Sequence, residues 1–227
     1  MLDNKVGIAL DGPSGSGKST LAKKLARELG YVYIDTGALY RAVGLFVFRR
    51  GIASDDRESI VPLLDEIDIT MKLVNGGGKV FLGGKELGDE IRTPEISKYA
   101  SDVSKIPEVR AFLLETQRSI ARDNNVVMDG RDIGTVILPD AKVKIFVTAS
   151  DSARAKRRCA ELISRGENVT YEQVLEDMRW RDENDRSRKI APAVPAKDSV
   201  ILDNSELDID MTFEAALKII KGKLEES

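Results

Sequence analysis

The stretch LDGPSGSGKSTLAKKLA constrains this chain more than any other, because it holds GxxxxGKS from Gly12 to Ser19. It follows the apolar run VGIAL directly and opens a segment with the apolar spacing of a helix. A strand feeding a glycine-rich turn and then a helix aims several backbone N–H groups, and the positive end of the helix, at one spot. A polyphosphate fits that spot: Lys18 reaches the terminal phosphates and the Ser19 hydroxyl can ligand Mg²⁺. No guanine-reading NKxD segment is present, which favours ATP over GTP. Gly12, Pro13, Ser14, Gly15, Ser16, Gly17, Lys18, Ser19 and Thr20 are the candidate ATP-binding residues. Motors, switches and kinases all use such a loop, so the reaction must be read elsewhere.

Around this loop, short apolar runs alternate with helical patterns: VGIAL, YVYID, VVMD, VKIFVTA and SVILD each precede or follow a helix-like segment. That alternation predicts an α/β fold, a P-loop NTPase-type parallel sheet with helices on both faces. Phe213, Leu217, Ile220 and Leu224 form the apolar stripe of a last helix that docks on the sheet. One stretch breaks the rhythm. From Asp68 to Ile91 short apolar segments are separated by GGG and GG, which predicts a small antiparallel β insert. Two helices opened by proline follow, from Pro94 to Ser101 and from Pro107 to Asp123.

At 227 residues and 42% hydrophobic composition the chain can bury a sizeable core as one domain with an insert. The N-terminal segment lacks a basic signal-like region, and no segment reaches ~18 unbroken apolar residues, so we expect a soluble, cytoplasmic protein without a membrane partner. The single Cys159 excludes an intrachain disulfide framework and a cysteine-rich zinc site, and fits a reducing compartment. Net charge is −3; between Asp151 and Lys189, ten Lys/Arg face nine Asp/Glu, a mixed surface rather than a nucleic-acid-binding tail. A monomer is expected.

The chain has no histidine, which removes the commonest general base and the commonest metal ligand. Arginines are abundant instead. In RWRDENDRSRK a helix would align Arg181, Asp185 and Arg188 on one face, and the APAVPAKDS loop that follows ends it, an arrangement suited to a hinged lid. Arg154, Lys156, Arg157, Arg158 and Arg165 add charge to the same region, and some could close over a phosphate. Past the second strand, Thr36, Gly37, Tyr40 and Arg41 lie where an open sheet faces its crevice. In MDGRDIG, Asp129 ends an apolar strand where a phosphate-loop protein holds a carboxylate near Mg²⁺, directly or through water. A phosphoryl acceptor that is itself a phosphate needs no base, only charge neutralisation and alignment, which arginine supplies. The composition tilts toward a nucleoside monophosphate acceptor.

These motifs together resemble those of bacterial cytidylate kinases, in the nucleoside monophosphate kinase superfamily. The likeness spans GPSGSGKST, YIDTGALYRA, the glycine-punctuated insert, EIRTPEIS, DGRDIGTVILPDA, RWRDENDRSR and the PAVPA loop. It implies Mg²⁺-dependent in-line transfer of the γ-phosphoryl group of ATP to CMP or dCMP, giving ADP and CDP or dCDP. It implies a core (1–35, 124–150, 190–227), an NMP-binding part (about 36–123, with the insert at about 68–91) and a lid (about 151–189). It places Thr36, Arg110, Asp132 and Arg188 at the base, Ser101, Arg181 and Asp185 at the ribose, and Arg41 and Arg131 at the acceptor phosphate. Lys18, Arg131, Arg181 and Arg188 become the catalytic candidates, with Ser19 and Asp129 at the metal.

Cytosine offers an N4 amino donor beside N3 and O2 acceptors, so a carboxylate and guanidinium groups suit it, whereas uracil reverses that pattern. Two other readings stay open at this point: a related kinase specific for UMP or AMP, and a nucleotide-dependent switch without acceptor turnover.

Overall fold

The structure, a computed structural model, describes residues 5–164 and 166–225; Arg165 lies outside them. Each apolar run becomes a strand. β1 (Gly7–Asp11) is buried along its whole length, and β2 (Val32–Asp35), the fully buried β6 (Val126–Asp129), β7 (Val143–Thr148) and β8 (Val200–Asp203) join it in parallel. Two faces need cover, and alternate residues supply it. Ile8, Leu10, Ile145 and Val147 pack toward α1 (Lys18–Leu29) and α8 (Ile209–Glu225), while Ala9, Ile34 and Met128 pack toward α5 (Pro107–Asp123) and the segment after β6. On α8, Phe213, Leu217 and Ile220 are buried and Leu224 packs at the margin, as the stripe predicts.

The glycine-rich insert forms β3 (Ile69–Val74), β4 (Gly77–Leu82) and β5 (Lys85–Glu86), paired antiparallel. Asn75–Gly76 and Gly83–Gly84 have φ between 50° and 76° and form two-residue turns whose twist matches the flanking strands. The insert is not a free-standing meander. β4 adds in parallel beside β2 through Tyr33 and Gly77, so the sheet order is β3-β4-β2-β6-β1-β7-β8. The pairing covers what would be an open edge of β2.

Between the two, α2 (Thr36–Arg49) starts on the residue after β2, with α3 (Arg57–Ile60) and α4 (Pro94–Val103) farther along. The Asp35 carboxylate caps α2 by accepting from the Ala38 N–H at 3.0 Å, a contact of about 1 kcal/mol. A separate apolar cluster joins α2, α4 and α5. A smaller one, with Ala155, Leu162, Val174 and Met178, joins α6 (Asp151–Ser164) to α7 (Tyr171–Arg186). Trp180, the only tryptophan, stands 47% exposed on α7.

After β6 the chain makes one wide π turn, Ile133–Ile137, instead of an α-helix. Asp11, at the end of β1, anchors it by accepting from the Ile133 and Gly134 N–H groups, both at 2.7 Å. Burial pushes the Asp11 carboxyl up from 3.8 to about 6, against the pull of those two donors. A carboxyl whose native pKa exceeds its unfolded value stabilises the fold at low pH and loses that contribution as pH rises through about 6. Between about pH 5 and 7.5 the parent chain should therefore lose about 1 kcal/mol relative to Asp11→Asn in urea unfolding. Parallel pH curves for the two proteins would contradict this.

Candidate active site

Between β1 and α1 the phosphate loop curls around its own N–H groups. Gly12 has φ +142°, and a Cβ there would stand 2.0 Å from the Val147 carbonyl oxygen, so only glycine lets the loop pass β7 this closely. The Lys18 ammonium folds back to donate to the Pro13 carbonyl at 2.6 Å and to Ser16 Oγ at 3.2 Å. Burial, and then the nearby Arg131 charge, lower its pKa to about 7. The negative charge of a polyanion in the loop would offset both influences. Ser16 is fixed from behind, where Asn204 Nδ2 donates to its carbonyl at 3.0 Å.

Ser19, at the start of α1, donates to Asp129 Oδ2 at 2.6 Å, and Tyr33 donates to Oδ1 at 3.2 Å. Burial, then the Asp35 charge beside it, push the Asp129 carboxyl up to about 6. A hydroxyl and a carboxylate are hard oxygen donors and suit Mg²⁺, which commonly takes one or two protein ligands and completes its shell with phosphates and water. No cluster of three or more acidic, cysteine or histidine side chains that could form a fuller metal cage occurs among the described residues. The residues present fit Mg²⁺ in that role.

The chain then turns along the sheet's carboxyl edge through Gly130, Arg131 and Asp132. A Cβ on Gly130 would meet Thr36 Oγ1 at 2.6 Å and Ile133 Cδ1 at 2.7 Å, so close packing rather than dihedral freedom demands glycine. Thr36 in turn donates to the Asp129 carbonyl at 2.8 Å. Arg131 Nε donates to Asp185 Oδ2 at 2.8 Å. Asp132 pairs with Arg110 of α5, both side chains nearly inaccessible; burial holds the Asp132 carboxyl above its ordinary range despite Arg110 and Arg188.

Asp185 is the hub of the opposite wall. It pairs with Arg188 and Arg131 and faces Ser101 Oγ at 3.5 Å, while Asn184 Nδ2 donates to the same hydroxyl at 2.8 Å. Burial alone would raise its carboxyl, but Arg131, Arg188 and Arg181 outweigh it and hold the pKa below the usual range. Arg188 lies beyond the end of α7, past the Ser187 cap, so a helical face does not align it with Arg181 and Asp185. The ion pair to Asp185 brings it back. Arg181 is crowded by burial and by Arg131, Arg41 and Arg158, and its pKa falls to about 10. The Nε atoms of Arg41, Arg181 and Arg188 are buried without a hydrogen-bond partner.

Thr36, Gly37, Tyr40, Arg41, Ser101, Arg110, Asp129, Arg131, Asp132, Arg181, Asp185 and Arg188, with most of the phosphate loop, line one cleft of about 400 Å³; of the described α6 cations expected near a phosphate, Arg158 lines it and Arg154, Lys156 and Arg157 do not. Gly12, Pro13 and Ser16 sit behind that lining. Nine Lys/Arg side chains against five Asp/Glu face it, on a chain whose net charge is −3. Such an excess in a partly desolvated site accommodates polyanions. Sequence reasoning missed Asp35, which pairs with Arg41 at 2.7 Å and Arg92 at 3.5 Å, and whose carboxyl is held low because these arginines outweigh burial. Its place directly before Thr36 is a helix-cap signal. Arg92 and Lys23 also line the cleft.

Fold and cleft define a P-loop phosphotransferase in which a glycine-rich phosphate loop and an arginine-rich pocket share one sheet edge. The sequence model of the cytidylate kinase family matches residues 8–222, and this chain belongs to that family. It is 49% identical over 224 residues to a cytidylate kinase of Caldicellulosiruptor bescii, covering 97% of this chain and 99% of the relative. It is 48% identical over 228 residues to one of Caldanaerobacter subterraneus subsp. tengcongensis, covering 99% and 100%. A crystal structure of an uncharacterized protein from Eubacterium ventriosum matches with TM-score 0.52 at 14% identity, covering 96% of this chain and 99% of the other, a likeness of fold.

The crowding at Gly130 yields a direct test. Gly130→Ala should cost about 1–3 kcal/mol by overpacking and raise KM for the acceptor by displacing Thr36. Thermal unfolding and steady-state kinetics measure both; an unchanged melting temperature and KM would show that the turn has slack.

Proposed function

We propose that this protein transfers the γ-phosphoryl group of ATP to CMP or dCMP, yielding ADP and CDP or dCDP. The observation that carries this reading is the single cleft with the phosphate loop at one end and the buried Arg110–Asp132 pair at the other. Lys18 and the loop N–H groups hold the donor phosphates. Arg41 and Arg131 hold the acceptor phosphate, and Arg181 and Arg188 neutralise charge that develops between the two. Bound Mg²⁺, held by Ser19 and by Asp129 directly or through water, would add positive charge at the donor phosphates. The attacking atom is already an anionic phosphate oxygen, so a chain without histidine lacks nothing the reaction requires.

Asp132 accepts from the cytosine N4 amino group, with Thr36, Arg110 and Arg188 around the base; Ser101, Arg181 and Asp185 take the ribose. Uracil would set its O4 against the Asp132 carboxylate and its N3–H against an arginine donor, leaving buried groups unpaired. We read the chain as a core, an NMP-binding part and a lid, a division supported by the separate apolar clusters of α2, α4 and α5 and of α6 and α7. We take it to act as a cytoplasmic monomer; no described helix is long and apolar enough to cross a membrane.

A coupled ADP-release assay across CMP, dCMP, UMP, AMP and shikimate tests the activity; turnover with another acceptor and none with CMP would refute it. Asp132→Ala should narrow the CMP-over-UMP ratio of kcat/KM by about 10–100-fold, the worth of one buried charged hydrogen bond; an unchanged ratio would remove Asp132 from base recognition. Lys18→Met should abolish turnover while sparing CMP affinity in calorimetry. Equal collapse of both would show that the lysine also serves the acceptor.

A further inference from the structure

The phosphate loop is gripped from outside by the helices that also carry the acceptor pocket. Ser14 is held at both ends of its backbone: its N–H donates to Asp182 Oδ1 at 3.1 Å, and its carbonyl accepts from Arg154 Nη1 at 2.8 Å. Asp182 and Arg154 also pair with each other, with side chains 10% and 5% exposed. Arg154 is itself fixed at the foot of α6, where Nε donates to the Ala149 carbonyl at 3.1 Å. α7 also packs on the loop itself, where a Cβ on Gly15 would stand 2.8 Å from Met178 Cε.

One turn farther along α7, Asp185 holds Arg131 and Arg188, and Asn184 holds Ser101 of α4. A helix is stiff over one turn, its backbone locked by hydrogen bonds. Asp182 on the donor loop and Asp185 in the acceptor pocket are therefore two contacts of one rigid body. A ligand that orders the loop restricts Ser14, and through Asp182 restricts the position of Asp185. Ordering already supplied by one ligand does not have to be supplied again by the next.

We infer that the Arg154–Asp182 pair couples the two nucleotide sites: with the phosphate loop filled, α7 is held and CMP binds more tightly. This rests on reading ATP and CMP as the ligands. Arg154 and Asp182 are positioning residues, acting through Ser14 and α7 without touching the reacting atoms.

Calorimetric titration of CMP into the full chain, with and without a saturating non-hydrolysable ATP analogue and Mg²⁺, tests the inference. In the parent protein the analogue should lower the CMP Kd by about 5-fold or more, the usual lower range of coupling between sites. In Asp182→Ala that ratio should shrink to within about 2-fold of unity, while the Kd for CMP alone stays within about 2-fold of the parent value. If Asp182→Ala does not fold, Asp182→Asn carries the same expectation, because it keeps an acceptor for Ser14 but loses the charge that pairs with Arg154. A variant that keeps the parent's ratio, or one that loses CMP affinity equally with and without the analogue, overturns the coupling role. Absence of coupling in the parent does so as well. Absence of any CMP binding by the parent instead overturns the reading of the acceptor.

Discussion

Three neighbouring parallel strands each end in a buried aspartate, and the site is built on what those carboxylates hold. Asp11 closes β1, Asp35 closes β2 and Asp129 closes β6, with Asp35 and Asp129 directly in register. Each takes up backbone or hydroxyl donors of a segment at the cleft: the π turn after β6 for Asp11, the first turn of α2 for Asp35, the first residues of α1 for Asp129. Left unpaired at such depth, a carboxylate would be costly. Satisfied, it converts a strand end into a fixed bracket for the segments that border the cleft. The acidic row also explains why the surrounding arginines stay where they are, since Arg41 and Arg92 are drawn to Asp35.

The opposite charge is then in excess, and this excess is the chemical character of the cleft. Burial, and then the neighbouring guanidinium of Arg131, lower the pKa of Arg181, and a further anion in the cleft would offset that repulsion. A side chain such as histidine would introduce a titration near neutrality without adding fixed charge. Arginine keeps its charge throughout the physiological range and presents donors in a plane. Phosphate-to-phosphate transfer asks for little else from the protein, and the composition of the chain agrees with its architecture on this point.

The parts of this design that are local in sequence were legible there. VGIAL, VVMD and SVILD read as buried strands because each is an unbroken apolar run, and the GGG and GG breaks announced the turns of the insert. The phosphate loop needs only eight consecutive residues. What stayed hidden depends on partners far apart along the chain: Asp11 meets Ile133 across 122 residues, and Ser14 meets Asp182 across 168. The parallel seam between β2 and β4 was hidden for the same reason, since the glycine-rich start of β4 carries no side-chain pattern to name its neighbour. Arg188 illustrates a mixed case. Its place in the pocket was foreseen from the likeness to a family, but the helical alignment offered for it fails, because an ion pair to Asp185 recovers it beyond the helix end.

Trp180 sits on the outer side of α7, beside the residues that bridge the two halves of the cleft, and the chain has no other tryptophan. Its indole is half in solvent, so its emission depends on how closely the helix lies against its surroundings. The protein thus carries a native optical gauge on a helix that meets both the phosphate loop and the arginine-rich pocket, and its posture can be followed without attaching a dye.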